Sequence, residues 1–382
     1  MKKTFVLALT FLLLFVLALT GCAPAAREPV AREPVAREPV AREPVAQEPA
    51  EVDVKRIGVS MPTMELQRWN QDGQNLKQML EAEGFEVDLQ YAENRVDLQI
   101  SQLENMITLG ANVLVIAAID GAALGSILEE AANEGIRVIA YDRLIMDTPN
   151  VDYYATFDNF HVGVLQGEFI VNALDLGANA GPFNLEVFAG SPDDNNAFFF
   201  RDGAFSVLQE HIDAGTLVIN SGQTEMEQIA IQGWTPEGAQ NRMDNLLTAY
   251  YADRNIDVVL SPNDSLAQGI VASLRAAGYG SADKPFPILT GQDADIINVK
   301  MLIAGEQSMS VFKDTRVLAA QVVDMIIAIR DGAEVPVNDT TTYDNRVKVV
   351  PTNLSEPTVV TTENYEEVLI EGGYYTREQI GQ

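Results

Sequence analysis

Residues 112–142 run as an apolar stretch NVLVIAA, a segment GAALGSILEEAANEG with leucine, isoleucine and alanine at helical spacing, and a second apolar stretch IRVIAYD. Neither apolar stretch alternates with polar residues, as a strand with one wet face would, so both belong in a sheet covered on both sides. Strands joined by an intervening helix are parallel, because the crossover returns the chain to the same end of the sheet. The chain is thereby confined to a doubly wound α/β architecture.

The alternation continues on either side. KRIGVS (55–60) and FEVDLQY (85–91) read as strands, with a helix from about Leu66 to Glu83 between them and another marked by Leu98, Leu103, Met106 and Ile107. A second series begins near Phe160: a helix with Val162, Leu165, Phe169 and Ala173 on one face, the strand FNLEVFAG (183–190), a helix through FFFRDGAFSVLQEH, and the strand TLVIN. A helix at 237–251, the strand IDVVLS (256–261), a helix at 265–277, FPILTG (286–291) and a helix at about 294–304 complete it. A chain of 382 residues exceeds one ordinary core, and the two series read as two lobes.

The first fifty residues are of another kind. Lys2 and Lys3 precede FVLALTFLLLFVLAL, and LTGC comes next at 19–22, the layout of an export signal over residues 1–21. LTGC resembles a bacterial lipobox, which implies cleavage before Cys22 and attachment of lipid to its thiol. Cys22 is the only cysteine, so no disulfide is expected even in an exported chain. From Ala26 to Pro49 the unit AREPV repeats, and a proline every fifth residue forbids a continuous helix. Residues 22–53 therefore read as a lipidated tether, too short in period to be a solenoid.

Ligands of doubly wound sheets bind beyond the carboxyl ends of the strands. Those ends carry Arg68 and Trp69 after the first strand, Asp142 and Arg143 after the fourth, then SPDDNN (191–196, with Asp194 and Asn196), Trp234, Asn263, Gln292 with Asp293, and Lys313 after SMSVF. Carboxylates, amides, fixed cations and indoles suit a polyhydroxylated ligand, whose hydroxyls both donate and accept and whose C–H faces stack on rings. Each residue also has a structural reading. Trp69 could be core, SPDDNN and the Asn263–Asp264 pair could cap helices, and Lys313 could be a solvated charge. Asp142 and Arg143 are adjacent, and on a strand they would point to opposite faces. Past the strand end both can turn into a cleft without pairing, where in the absence of ligand they would meet water.

From about residue 54 to the end the chain resembles the periplasmic monosaccharide-binding proteins of ABC importers, of the xylose-binding and multiple-sugar-binding kind. The resemblance is carried by VSMPT with RW at 68–69, VLVIAAIDG, VIAYDRLI, YYATFDN, GSPDDNNA, NRMDNLL, SPNDSLAQGI, GQDA and FKDT. It implies the type I periplasmic binding protein fold, two Rossmann-like lobes joined by a three-strand hinge, with residues 54–158 and 313–350 in the N-terminal lobe and 159–312 and 351–382 in the C-terminal lobe. The implied sugar contacts are Arg68, Trp69, Asp142, Arg143, Asp194, Asn196, Trp234, Asn263 and Asp293, with Lys313 at a hinge crossing. The implied partners are an aldopyranose such as xylose, glucose, galactose or arabinose, the membrane subunits of an ABC permease, and a chemoreceptor or sensor kinase.

Other classes fit less well. A glycoside-acting enzyme would need two carboxylates about the bond, a part Asp142 and Asp194 could take. The net charge of −30 offers no basic face to nucleic acid. No G-x-G-x-x-G follows a strand and no phosphate-binding G-x-x-x-x-G-K-[ST] occurs, so no cofactor is expected. SPDDNN lacks the acid spacing of a calcium loop, so no metal is expected either.

Overall fold

A computed structural model describes residues 54–178 and 181–382. The expected export signal, Cys22 and the AREPV tether lie outside the described residues.

Eight elements build the start of the first lobe: β1 (Arg56–Met61), α1 (Gln67–Ala82), β2 (Glu86–Tyr91), α2 (Val96–Thr108), β3 (Val113–Ile116), α3 (Gly125–Asn133), β4 (Arg137–Tyr141) and β5 (Tyr153–Phe157). The second lobe comprises α4 (Asn159–Leu174), β6 (Phe183–Val187), α5 (Asn196–Asp213), β7 (Leu217–Val218), a single turn α6 (Met226–Ile229), α7 (Pro236–Tyr250), β8 (Val258–Leu260), α8 (Asp264–Ala276), β9 (Ile288–Leu289) and α9 (Ile296–Ile303). The chain then makes β10 (Ser310–Phe312), α10 (Thr315–Arg330), β11 (Thr352–Ser355) and β12 (Thr358–Val360).

The first sheet has the order β11-β5-β4-β3-β1-β2 and every pairing in it is parallel. The second has the order β7-β6-β8-β9, also parallel. The fully apolar β3 explains this arrangement: Val113, Leu114, Val115 and Ile116 are all buried, alternate residues joining the clusters on opposite faces of the sheet.

The chain crosses between lobes after β5, after β10 and between β11 and β12, which is the expected three-strand hinge. Helix α10 returns to pack on α1 of the first lobe. One boundary is corrected: residues from 351 onward were expected in the second lobe, yet β11 pairs with β5 in the first sheet, and only β12, antiparallel to β10, lies beyond the crossing. Polar TNLS gives no apolar signal of its own, because β11 is an edge strand whose middle residues are only half-buried.

In the second lobe α4 and α5 approach closely at two glycines. A Cβ on Gly163 would lie 2.1 Å from the Phe200 carbonyl oxygen, and one on Gly203 equally close to that of Phe160. The pair fixes the rotation of α5, and so which of Phe198, Phe199 and Phe200 faces the cleft.

Candidate functional site

The carboxyl ends of both sheets face one cavity, with lining residues that include Arg68, Trp69, Asp142, Arg143, Asp194, Asn196, Trp234, Asn263, Asp293 and Lys313. All ten residues expected from the sequence are brought together, and each is buried.

Asp142 sets the geometry of the first lobe's contribution. It comes directly after β4 with φ +59°, and the Arg143 amide donates to the Tyr141 carbonyl at 2.6 Å. An i→i+2 bond about a residue of positive φ is the rarer, strained form of the γ-turn. It reverses the chain within one residue, so consecutive side chains that would diverge on a strand both enter the cavity. The carbonyl of Asp142 is held by three donors, Tyr154 Oη at 2.6 Å, Thr156 Oγ1 at 2.9 Å and, from the other lobe, Asn196 Nδ2 at 2.8 Å.

The Asp142 carboxylate accepts from Arg68 Nη2 at 2.7 Å and Lys313 Nζ at 3.3 Å. Burial pushes its carboxyl up, but Arg68, Lys313 and Arg143 outweigh burial and bring it down to about 2. It is a permanent acceptor. Arg143 donates to the Ala118 carbonyl through Nη1 and places Nε 2.9 Å from Asp194 of the second lobe. The expectation that both residues lie in water is corrected: they are buried and paired, although not with each other.

Arg68 and Trp69 occupy the first turn of α1. The Arg68 guanidinium forks to Asp72, Asp142 and Asp293 at 3.0, 2.7 and 3.3 Å. Asp72, one turn on, is raised to about 6 by burial against the opposing pull of Arg68. The Trp69 ring carries the guanidinium carbons of Arg68 and Arg143 at 4.8 and 5.0 Å, so it is at once core and cavity wall. Lys313, only 1% exposed, sits at the hinge crossing between β10 and α10 and reaches Asp142 and, at 3.7 Å, Asp293. The solvated-charge alternative fails for it.

In the second lobe the capping and ligand-facing readings coexist. Asp194 Oδ1 accepts the Asn196 amide at 3.0 Å while its Oδ2 takes the Trp234 indole N–H at 3.2 Å. Asn263 caps α8 by accepting the Leu266 amide at 3.1 Å and still lines the cavity. Trp234 has φ +57°; its ring lies so close to Gly190 that a Cβ there would fall 1.8 Å from it. Asp293 (φ +96°) and Ala294 (φ +51°) are likewise held in the left-handed region.

Phe200, Ser265, Leu66 and Gln292 also line the cavity and were not among the expected contacts. Phe200 is 3% exposed against 40% for Phe198, a choice made by helix rotation and invisible in a run of three phenylalanines. Gln292 is more telling: its buried Oε1 has no hydrogen-bond partner, and its position after ILTG in the sequence was the one available signal.

Three cations (Arg68, Arg143, Lys313) and three carboxylates (Asp142, Asp194, Asp293) line the closed cleft, with the carboxyl of Asp72 on Arg68 behind it. A ligand of zero net charge leaves that balance intact, and bringing in an unpaired charge would carry a large desolvation cost.

A fold of two parallel α/β lobes hinged by three crossings, closed on a polar cavity, defines a type I solute-binding protein, and the periplasmic binding protein domain profile matches residues 57–334. The chain belongs to the periplasmic binding protein family. It is 55% identical over 328 residues to the multiple sugar-binding periplasmic receptor of Rhizobium radiobacter, covering 86% of this chain and 93% of that one. It is 35% identical over 325 residues to the D-xylose-binding periplasmic protein of Escherichia coli, covering 85% and 92%. An ABC transporter solute-binding protein from Clostridium phytofermentans, solved with β-D-glucose bound, is 54% identical with a TM-score of 0.83, over 85% of this chain and all of that one.

Proposed function

We propose that this chain is an exported receptor that captures one aldopyranose, such as glucose, galactose, xylose or arabinose, between its lobes and delivers it to an ABC permease. The observation that carries the proposal is the cavity, in which fixed donors and acceptors from both lobes surround an indole. Sugar hydroxyls would accept from Arg68, Arg143 and Lys313 and donate to Asp142, Asp194, Asp293 and Gln292, with a C–H face on Trp69. Because both lobes contribute, the ligand binds the closed form better and shifts the population toward it. The identity to a glucose-bound relative and to multiple-sugar receptors supports the ligand class.

Two further parts of the reading rest on sequence and family. The lipobox-like LTGC makes Cys22 the membrane anchor, and the closed form would be the signal read by the permease and by a chemoreceptor or sensor kinase. The relatives are solute-binding receptors rather than enzymes, which favours capture over the glycoside-acting alternative.

Calorimetric titration with a panel of aldoses tests the proposal. Stoichiometric binding is expected, with a rise in stability of about 2.7 kcal/mol at a hundredfold excess over Kd. A thermal melt indifferent to every aldose at millimolar concentration would overturn it.

A further inference from the structure

The C-terminal segment contributes a residue that touches both sides of the closed cleft without lining the cavity. Tyr375 is buried in the second lobe among Ala294, Val299, Leu302 and Leu369. Its hydroxyl accepts from Gln67 Nε2 at 2.7 Å and Gln71 Nε2 at 3.3 Å, both on α1 of the first lobe, and donates to the Ala294 carbonyl at 3.0 Å. One donor and two acceptor sites are the full capacity of a phenol hydroxyl in this role. Gln67 completes the ring, its Oε1 accepting the Ile296 amide at 3.1 Å.

The neighbours in sequence give this seam its meaning. Gln67 precedes Arg68, and Ala294 comes after Asp293; Arg68 and Asp293 form an ion pair between the lobes at 3.3 Å. Asp293 and Ala294 are both held in the left-handed region, which a non-glycine residue leaves when it can. The Tyr375 bond to the Ala294 carbonyl restrains that turn, and the bonds to Gln67 and Gln71 set it against the first turn of α1.

We infer that Tyr375 is a positioning residue for ligand capture: its hydroxyl clasps the closed lobes and sets Asp293 and Arg68 in register for the ligand. The inference rests on the function proposed above and extends it to a residue outside the cavity. A clasp that holds the lobes closed acts on escape rather than encounter, so its loss appears in the dissociation rate.

The test compares the full chain with Tyr375→Phe, which removes one oxygen, and with Gln67→Ala, alone and combined. Glucose, galactose, xylose and arabinose are titrated by calorimetry and stopped flow, and hydrogen exchange of the Ile296 amide is measured without sugar. For Tyr375→Phe, an approximately tenfold faster dissociation at unchanged association is expected, with faster Ile296 exchange and a ligand-free melting temperature near the parent's. The double variant should lose less than the sum of the two single losses, since both remove the Tyr375–Gln67 bond. Parental dissociation rate and Ile296 exchange together would overturn the inference, as would a lowered ligand-free melting temperature with affinity intact. If the parent itself binds no aldose, the proposed function fails, and Ile296 exchange alone still decides whether Tyr375 clasps the lobes.

Discussion

Arg143 and Asp194 meet across the cleft with Nε and Oδ2 2.9 Å apart, yet the Nε–H is not aligned on the carboxylate. The contact is one of charge more than of hydrogen bonding, and it leaves the Arg143 Nε–H without an aligned acceptor and available to a ligand hydroxyl. The pair also gives the lobes an attraction of their own in the closed state.

Asp142→Ala and Arg143→Ala should each weaken aldose binding at least about tenfold, since a hydrogen bond to a charged group contributes roughly 1.5–3 kcal/mol and about 1.4 kcal/mol is one decade of affinity. The two variants should differ in ligand-free stability. Asp142→Ala leaves Arg68 and Lys313 short of an anion, and breaking a buried pair costs about 3–5 kcal/mol in a fixed interior, less where lobes can open to water. A drop of several degrees in ligand-free melting is expected for Asp142→Ala, and a smaller one for Arg143→Ala. Parental affinity in either variant would remove that residue from the site.

Trp69 and Trp234 are the only tryptophans, and both line the cavity. Saturating sugar should therefore change the intrinsic fluorescence, with part of the change kept in Trp69→Phe and part in Trp234→Phe. Trp69→Ala should cost about tenfold in affinity through the lost stacking face. Emission unmoved by a sugar that calorimetry shows to be bound would place both rings away from the ligand.

A second buried network lies behind the cavity in the second lobe. Asp295 is pushed up to about 7 by burial and by repulsion from Asp293, with Arg68 opposing, and Asp264, buried beside it, is also raised. A carboxyl that keeps its proton on folding stabilises below its unfolded value of 3.8, and that contribution is lost as pH rises through about 7. Stability should thus fall between about pH 4 and pH 7 by about 1.4 kcal/mol per unit for this one proton, set against the opposite trend of groups such as Asp142. Asp295→Asn should flatten that component and be more stable than the parent at about pH 8. Urea unfolding of both proteins across this range measures it; parallel pH profiles would show Asp295 ionised in the fold.

Cys22→Ser should release the chain from membranes while the sugar affinity of the folded part stays unchanged. Fractionation that still finds the variant as firmly bound as the parent would make the apolar segment a retained anchor and the lipid assignment wrong.

Much of the architecture is legible in the sequence because its information is local. VLVI in β3 announces a strand buried on both faces, and the helical spacing in GSILEEAAN announces the crossover beside it. Since doubly wound sheets bind ligands at one edge, the residues just past each strand end suffice to collect Arg68, Asp142, Asp194, Asn263, Asp293 and Lys313. Strands without such a signature escape: β11 is polar TNLS, and its place beside β5 is decided by long-range pairing.

By itself the sequence determined the chemistry of the site and the edge on which it lies. Only the tertiary structure decided which partners those groups have. The positive φ of Asp142 and its bond from Asn196, the fork of Arg68 to three carboxylates, the rotation that admits Phe200 and excludes Phe198, and the reach of Tyr375 to Gln67 all depend on contacts between residues far apart in the chain. The physical reason is one of range: hydrophobic period and turn chemistry act over a few residues, whereas burial and ion pairing are set by what closure brings within about 4 Å.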